Sequence, residues 1–479
     1  MSTNDSPRAL RRGHSRHTGI LLLIVLGPLP FAAANPTFRT DNAVSAWGTY
    51  LGGDASSRPV QALAPSTDGV MMTRGRFGSA DSGLEALVSL DSAGVQRWGA
   101  FLGGGGGDGT GRAVVPLPTR DLVYLAGFTT YDAGIATAGA QQAARACPDS
   151  GACGNDGFVA QFDASGALRW GTYFGGPLND YIYDASADAD GDLYVCGQTD
   201  SATGIATAGA HQTRQGNGFL AKFGLGGDLK WATHYDGPCS SLAADPSGSG
   251  VVLAGWATAG GDFATEDALQ PDPVGPNNSY LARFNAVGQR EWGSYFGEGH
   301  AGVHDLEVDK TGAIYTVGAT DEFDDLVTDD AQQERYGGGQ SDLYIARFTA
   351  NGQRQWGTYF GGDSFESQAR AAIDDAGNLY FSATTSSGDL ATIGEASATI
   401  TAHPDVIVGK LGRDGVLEWA FYQGGEGNER VTALAVDSQE RVYIGGVTQS
   451  EAGIATTGAQ QATPAGLESA YVAMFRTDW

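Results

Sequence analysis

Acidic residues return at one place along this chain, just after a repeated Gly-Gly step, at Asp108, Asp180, Glu366 and Glu429. Carboxylates at equivalent places in a repeat could surround the mouth of a channel and bind a ligand there. They could also accept hydrogen bonds from the backbone of the turn that follows each step. The sequence leaves both interpretations open, and we favour turn capping.

A second group of polar residues contains His300, His304 and Asp305. Two histidines four residues apart bind a metal well when they share one face of a helix. This pair falls in a loop that enters a predicted strand, where the spacing does not bring both imidazoles to one point. The sequence therefore favours a polar ligand site over a metal site at these residues.

Four aspartates cluster around Gly191 and resemble a calcium-binding loop: Asp184, Asp188, Asp190 and Asp192. Calcium prefers several oxygen ligands, which such a cluster supplies. Turns with the same pattern recur at 309–312 and 374–377 with fewer acids, so this turn also forms without an ion. Calcium is the only cofactor that the sequence suggests.

Motifs that mark a catalytic centre are absent from the sequence. The five histidines beyond residue 34 fall in four different repeats, and there is no nucleophile-elbow phrase, phosphate loop or Cys/His pairing. Because the chain has so many acids, a catalytic pair of carboxylates stays an alternative that the sequence leaves open. We therefore predict no catalytic residue and favour a role other than catalysis.

The element that must position these residues is a repeat that begins at tryptophan. Seven times a tryptophan opens nearly the same phrase, as in Trp47-Gly-Thr-Tyr-Leu-Gly-Gly, and the other copies begin at Trp98, Trp170, Trp231, Trp292, Trp356 and Trp419. Repeats of this length with strand-like patterning indicate one supersecondary unit per copy. Between Trp170 and Trp231 we predict four strands, at 170–174, 184–188, 193–199 and 218–223.

Seven units of four antiparallel strands predict an all-β fold, a seven-bladed β-propeller that occupies residues 35 to 479. We name the strands of each blade a to d from the centre outward, with the tryptophan strand as d. The chain then begins with a lone d strand at 47–51 and ends with a lone c strand at 471–475, so we predict that these two pair and close the ring. The longer d–a and b–c connections emerge on one face, where functional variation is expected.

The N-terminus predicts export from a bacterium. Residues 1 to 34 combine four arginines, an apolar run and Ala32-Ala33-Ala34, as in a cleaved signal peptide. We therefore expect a secreted, periplasmic or cell-surface protein with no membrane insertion after cleavage. The whole chain carries a net charge of −27, and −30 without this segment, which holds those arginines and one acid. Nucleic acid is therefore a poor partner.

Four cysteines are too few to build the core of a 479-residue chain. Cys147 and Cys153 flank a short loop, and in an oxidising compartment we expect them to form a local disulfide. Cys196 is placed in a predicted strand and Cys239 in a predicted turn. Whether these two pair is left open.

The repeats resemble the SBBP-type β-propeller repeat of bacterial secreted and surface proteins. The resemblance covers about residues 47 to 475 and rests on Trp-x-Thr-Tyr-x-Gly-Gly, on Ala-x-Asp-x-x-Gly-x-x-Tyr-x-x-Gly-x-Thr and on the phrase Gly-Ile-Ala-Thr at 134, 204 and 453. The Gly-x-x-x-Trp step is similar to the tryptophan-docking repeat of quinoprotein propellers, in which the indole packs between blades. Pro65 departs from the pattern, since it stands where an aspartate is usual.

The resemblance implies a scaffold or binding module rather than a defined activity. We expect a monomer that binds a protein or glycan on the face with the long connections. The alternative is an extracellular polysaccharide hydrolase or lyase with its site at the central channel. An enzyme should bring several acids and an arginine or histidine to one mouth of the channel, whereas a binding module should present aromatic or mixed side chains.

Overall fold

A computed structural model describes residues 45–52, 59–74, 85–104, 107–148, 153–258, 260–274, 278–297, 302–321, 327–390, 392, 400 and 404–477. All of them belong to one compact unit, Arg39–Trp479. The predicted signal peptide, residues 1 to 34, lies outside the described residues. Within the described part, the chain forms 28 β-strands and one short 3₁₀ turn at Pro118–Arg120.

The strands form seven separate four-stranded antiparallel sheets, as predicted. The first strand, β1, is Ser45–Leu51. Blade 1 contains β2 (Val60–Ser66), β3 (Gly69–Arg74), β4 (Leu87–Asp91) and β5 (Gln96–Ala100). Blade 2 contains β6 (Gly109–Leu117), β7 (Leu122–Thr129), β8 (Asp156–Asp163) and β9 (Leu168–Phe174). Blade 3 contains β10 (Asp180–Ala187), β11 (Leu193–Thr199), β12 (Gly218–Phe223) and β13 (Leu229–Tyr235).

The second half of the chain repeats this arrangement. Blade 4 contains β14 (Cys239–Ala244), β15 (Gly250–Ala257), β16 (Asn278–Asn285) and β17 (Arg290–Phe296). Blade 5 contains β18 (Gly302–Val308), β19 (Ile314–Thr320), β20 (Asp342–Phe348) and β21 (Arg354–Phe360). Blade 6 contains β22 (Glu366–Ile373), β23 (Leu379–Thr385), β24 (Asp405–Leu411) and β25 (Leu417–Gln423). Blade 7 contains β26 (Glu429–Val436), β27 (Val442–Thr448), β28 (Ser469–Phe475) and β1.

The two ends of the propeller close the ring in a shared blade, as predicted. Strand β1 pairs antiparallel with β28, with Trp47 opposite Met474 and Leu51 opposite Ala470. The first strands of the blades, β2, β6, β10, β14, β18, β22 and β26, each contact the next around the ring. These seven a strands therefore surround the central channel.

Short turns join strands a and b because an aspartate and a glycine organise them. Asp188 Oδ1 accepts hydrogen bonds from the backbone N–H groups of Asp190 and Asp192, and Gly191 takes a positive φ of 80°. The side chain thereby supplies the acceptor that this turn needs. The d–a and b–c connections are longer and lie at the opposite ends of these strands, on one face of the propeller.

The repeated tryptophan packs against the neighbouring blade. The ring of Trp47 lies against Gly94, where a Cβ atom would come within 2.6 Å of it, and the Trp47 indole N–H donates to the carbonyl oxygen of Ser92 at 2.9 Å. Trp170 makes the same contact with Gly227 and the same hydrogen bond to Leu225. The insistent Trp-Gly-Thr-Tyr phrase is thus architectural.

Two disulfides are present in the structure. One joins Cys147 to Cys153 within the b–c connection of blade 2. The other joins Cys196 in β11 to Cys239 in β14, so that it links blades 3 and 4. The prediction of a turn at Cys239 was wrong, because this residue begins the a strand of blade 4 directly after the shortened connection at 236–238.

Candidate functional site

Every a strand is interrupted by a β-bulge at the same depth in the channel. The pairing of strands a and b shifts register once in each blade, over two residues, Gln368 and Ala369, in blade 6 and over one residue in the other six. The polar residues at the shifts are Gln61, Arg112, Tyr183, Ser240, His304, Gln368 and Thr432. A bulge leaves its extra residue outside the ladder and re-aims the side chain. All seven of these residues are polar and half-buried, and all line one cavity of about 600 Å³. We call them the bulge ring.

The residue at which strand pairing resumes after the bulge differs between the blades. In blades 1, 2 and 7 this position is alanine, at Ala62, Ala113 and Ala433. In the other four blades it is Asp184, Ser241, Asp305 and Arg370. Asp184, Asp305 and Arg370 line the cavity, whereas Ser241 is fully buried, so the cavity is chemically asymmetric around its axis.

Asp184 and Asp305 bind their neighbouring blades through backbone N–H groups. Asp184 accepts from Ala185 and Leu242, each at 2.8 Å. Asp305 accepts from Leu306 at 3.0 Å and Ala371 at 3.1 Å. Each of the four carboxylate oxygens thus accepts one backbone N–H. Both side chains are therefore fixed in place, and neither is presented as a free base or nucleophile.

Burial changes the protonation of these acids. Burial, and then the charge of Asp305, raises the pKa of Asp184 to about 7. Burial also raises the pKa of Asp305, although Arg370 opposes the shift. Glu307 lines the cavity two residues beyond Asp305, and burial together with Asp305 and Asp184 raises its pKa well above the usual range. Burial thus favours the protonated form of these carboxyl groups, and a protonated carboxyl group can donate a hydrogen bond.

Glu307 differs from the two aspartates because it lacks hydrogen-bond partners among the described residues. The side chains of Asp184 and Asp305 are saturated by backbone donors, whereas the carboxyl group of Glu307 faces the cavity. A protonated carboxyl group in that position can serve a ligand as donor and acceptor at once.

His304 is neutral at physiological pH. Burial, and then the charge of Arg370, lowers the pKa of His304 to about 4. Its Nδ1 atom accepts the backbone N–H of Ala369 at 3.2 Å, so the ring proton resides on Nε2. This imidazole is held between blades 5 and 6 and offers one N–H donor.

Two aromatic side chains, Trp256 and Tyr183, line the cavity, and Tyr181 and Phe128 pack behind Tyr183. Trp256 lines it from the end of β15, near the face of the long connections, and remains 42% exposed. Tyr181 and Tyr183 stack with ring centroids 6.0 Å apart, and Phe128 meets Tyr181 edge-on at 4.9 Å. The Tyr183 hydroxyl donates to Gln198 at 3.2 Å. Flat rings beside polar groups form the mixed lining that is typical of small-molecule sites.

Three of the predicted ligand residues are turn caps instead of channel residues. Asp180 accepts hydrogen bonds from the hydroxyls of Thr199 and Ser201 and from the N–H of Gly176. Glu366 and Glu429 bind the equivalent groups of their own blades. All three are fully buried, and none of them lines the cavity.

The other predicted residues fall into different environments. Of that set, His304 and Asp305 line the cavity. Asp108 is exposed at the start of blade 2, where its backbone carbonyl accepts the hydroxyl of Thr129 at 2.8 Å. His300 lies outside the described residues. The predicted set is therefore not one site.

The four aspartates of the predicted calcium loop also lie in different environments. Asp184 lies in the channel, whereas Asp188 binds the Lys222 ammonium group at 2.9 Å and Asp192 binds Lys222 and Lys230 at 3.2 and 2.9 Å. Asp190 is exposed. In the described part of the chain, no group of three or more His, Cys, Asp or Glu side chains is arranged to hold a metal ion. Calcium binding at these residues remains a prediction.

Comparison with known proteins does not assign this chain to a family. No protein-family model matches the sequence, and no curated protein matches it significantly. The resemblance to SBBP-type repeats therefore remains a prediction, while the seven-bladed propeller is shown by the structure. None of the helical residues that the structure describes forms a segment of the length and hydropathy that a membrane crossing requires.

The sequence did not point to Arg112, Tyr183, Trp256 or Arg370 as cavity residues. One signal could have located most of the bulge ring. In six blades the bulge residue stands five positions before the first residue of the a–b turn. Tyr183 precedes Asp188 in this way, and His304 precedes Asp309. An alignment of the seven repeats on that turn places a polar residue at this position in each of these blades.

Proposed function

We propose that this protein is a binding module whose central channel takes the end of a glycan through the face of the long connections. The observation that carries the proposal is the bulge ring, since seven re-aimed polar side chains surround one cavity of about 600 Å³. That volume lies within the usual range for small-molecule sites. Hydroxyl-rich ligands need many hydrogen-bond partners together with a flat apolar surface, and the exposed indole of Trp256 supplies the latter.

A glycan suits the cavity better than a protein partner does. The charged and aromatic groups line a recess inside the ring instead of a broad surface, and stable protein interfaces are large and mostly flat. A sugar chain can insert one end into such a recess while the remainder lies across the long connections. The exposed indole of Trp256 then provides a stacking surface at the entrance.

Titration calorimetry with a panel of neutral and acidic oligosaccharides, with and without calcium, tests this proposal on the purified full chain. We expect at least one sugar to bind, and Trp256→Ala to weaken it at least about tenfold, as truncation of a central aromatic anchor does. The matched control is Val416→Ala, which truncates another exposed apolar residue on the face of the short turns. Absence of sugar binding, or equal losses in both variants, would overturn the proposal.

A second candidate, hydrolysis or elimination on a polysaccharide in the channel, is favoured by one observation. Glu307 combines a strongly raised pKa with a carboxyl group that faces the cavity, as a general acid requires. Product analysis of bound polysaccharides by mass spectrometry, with wild type and Glu307→Gln, tests it. Cleavage that Glu307→Gln abolishes supports catalysis, and intact substrate after prolonged incubation with a sugar that binds excludes it.

We also propose that the protein acts outside the bacterial cytoplasm as a monomer. The support is the composition of residues 1 to 34 together with two disulfides, which persist in oxidising compartments. Fractionation of an expressing bacterium and N-terminal sequencing test export and cleavage of residues 1 to 34, and light scattering tests the monomeric state. A cytoplasmic protein that keeps residues 1 to 34 would contradict export.

A further inference from the structure

The channel is electrostatically divided into two walls, and this division specifies the ligand further, on the premise that the channel binds a glycan. The acids belong to blades 3 and 5, where Asp184 and Asp305 approach each other through Ser241 of blade 4. Glu307 lies on the same side, in blade 5. The two arginines of the cavity, Arg112 and Arg370, belong to blades 2 and 6.

Both arginines donate hydrogen bonds to residues at the junction of blades 1 and 7. Arg112 donates from Nη1 to Gln61 of blade 1 at 3.0 Å. Arg370 donates from Nε to the carbonyl oxygen of Thr432 in blade 7 at 2.7 Å. Blades 1 and 7 are neighbours, joined by a hydrogen bond from the Thr432 hydroxyl to the carbonyl oxygen of Val60. The two guanidinium groups therefore converge on one wall of the cavity.

Neither guanidinium is neutralised by a carboxylate of the described residues. Arg370 uses its Nη1 on the carbonyl oxygen of its neighbour Ala369 at 2.7 Å, which leaves Nη2 available. Arg112 rests over the ring of Tyr183 at 5.5 Å and keeps Nε and Nη2 available. Both side chains are half-buried. Two cations that share a cavity and form no ion pair with a described carboxylate favour an anion between them.

Electrostatics supports this arrangement independently of the contacts. Burial, and then the charge of Arg370, lowers the pKa of Arg112, although Tyr183 and Asp184 oppose the shift. The like charges of Arg112 and Arg370 thus act on one another. An anion placed between them would relieve this repulsion.

We infer that the channel binds an acidic sugar, with the carboxylate of a uronic acid residue held between Arg112 and Arg370. Arginine matches a carboxylate because its planar donors bind both oxygens. The opposite wall offers Glu307 and the N–H of His304 to the hydroxyl groups of the same sugar. That wall also carries Asp184 and Asp305, so a singly charged carboxylate fits the cavity better than a doubly charged phosphate ester.

Calorimetry with three matched oligosaccharides tests the inference: a neutral one, its uronic acid counterpart and a sulfated counterpart. We expect the uronic acid oligosaccharide to bind most tightly. Arg112→Gln and Arg370→Gln should each weaken it at least tenfold while they change the affinity for the neutral sugar less than threefold. The control Arg169→Gln removes an exposed arginine from outer strand β9, and it should change neither affinity.

The variants keep the test decisive even if one of them is unstable. Arg370 also donates hydrogen bonds to two backbone carbonyl oxygens. The melting temperature of the Arg370→Gln variant must therefore be compared with that of the wild type. Arg112→Lys preserves the charge but not the planar pair of donors, and we expect it to retain only part of the affinity. Equal or tighter binding of the neutral or sulfated sugar, or unchanged uronic acid binding in both glutamine variants, would overturn the inference. Binding of no sugar at all would instead overturn the proposed function.

Discussion

The carboxyl groups of Asp184 and Asp305 meet at one hydroxyl, that of Ser241, although blade 4 separates the two aspartates. Ser241 Oγ lies 3.1 Å from Asp184 and 3.0 Å from Asp305. A hydroxyl has one proton and can donate to only one of them. The second contact is satisfied when the other carboxyl group is protonated and donates to Ser241, in agreement with the raised pKa of both acids.

This shared proton predicts a pH dependence of stability. The pKa of Asp184 rises from its ordinary value of 3.8 to about 7 in the folded protein. The stability that the protonated Asp184 contributes to the folded protein is therefore fully present below about pH 4 and is lost as the pH rises through about 7. Asp305 and Glu307 from β18 and Arg112 from β6 are the charged groups that face it.

Urea unfolding of wild type and Asp184→Asn at pH 4.5, 5.5, 6.5 and 7.5 measures this contribution. We expect the wild type to lose about 1–3 kcal/mol more than the variant over this range. Asp156 and Asp342, whose pKa values burial also raises to about 7, affect both proteins equally. The control is Asp190→Asn, at an exposed acid of the neighbouring turn. Parallel pH profiles of wild type and Asp184→Asn would show that the pair holds no extra proton.

The contact between tryptophan and glycine predicts the cost of a single methyl group. At Gly288, where φ is 82°, an added Cβ would lie 2.8 Å from the ring of Trp231. At Gly209, where φ is 80°, nothing lies within 4 Å. Alanine at either position incurs the backbone cost of a positive φ, about 1 kcal/mol. Only Gly288→Ala should lose about 1–3 kcal/mol more, through overpacking.

Chemical denaturation of Gly288→Ala and Gly209→Ala separates the two effects. A larger loss in Gly288→Ala assigns the additional free energy of unfolding to the packed indole. Equal losses would mean that the tryptophan moves aside without cost, and the packing role of the repeat would have to be abandoned.

The architecture could be predicted from the sequence because its signals are local. Alternating strands, the Asp-x-x-Gly turns and the tryptophan phrase each lie within a few residues, and the predicted strands at 193–199 and 218–223 match β11 and β12. The channel could not be predicted in the same way, because the position of Tyr183 depends on a bulge in the pairing of β10 with β11. The predicted strand at 184–188 accordingly began four residues too late.

Ring closure predicts that the first strand is essential to the whole propeller. Strand β1 buries Trp47, Tyr50 and Leu51 and covers an edge of β28 that would otherwise lie open. Deleting residues 35 to 52 should lower stability by several kcal/mol and the melting temperature by about 10 °C or more. Deleting only residues 35 to 44, which precede β1, is the control. A melting temperature that is unchanged by the longer deletion would contradict closure by these strands.

The two disulfides are predicted to contribute unequally. Cys147 and Cys153 enclose a separation of 6 residues within one connection, whereas Cys196 and Cys239 span 43 residues and link two blades. A cross-link stabilises chiefly by restricting the unfolded chain, and the chain-entropy relation gives about 2 kcal/mol for the shorter loop and about 4 kcal/mol for the longer one. Paired Cys→Ala substitutions, compared by urea unfolding, measure both terms. Cys196 and Cys239 are also fully buried, so the loss of their packing should add to the larger decrease in the free energy of unfolding. A smaller decrease for this pair than for Cys147 and Cys153 would mean that the cross-link between blades 3 and 4 contributes little to the stability of the ring.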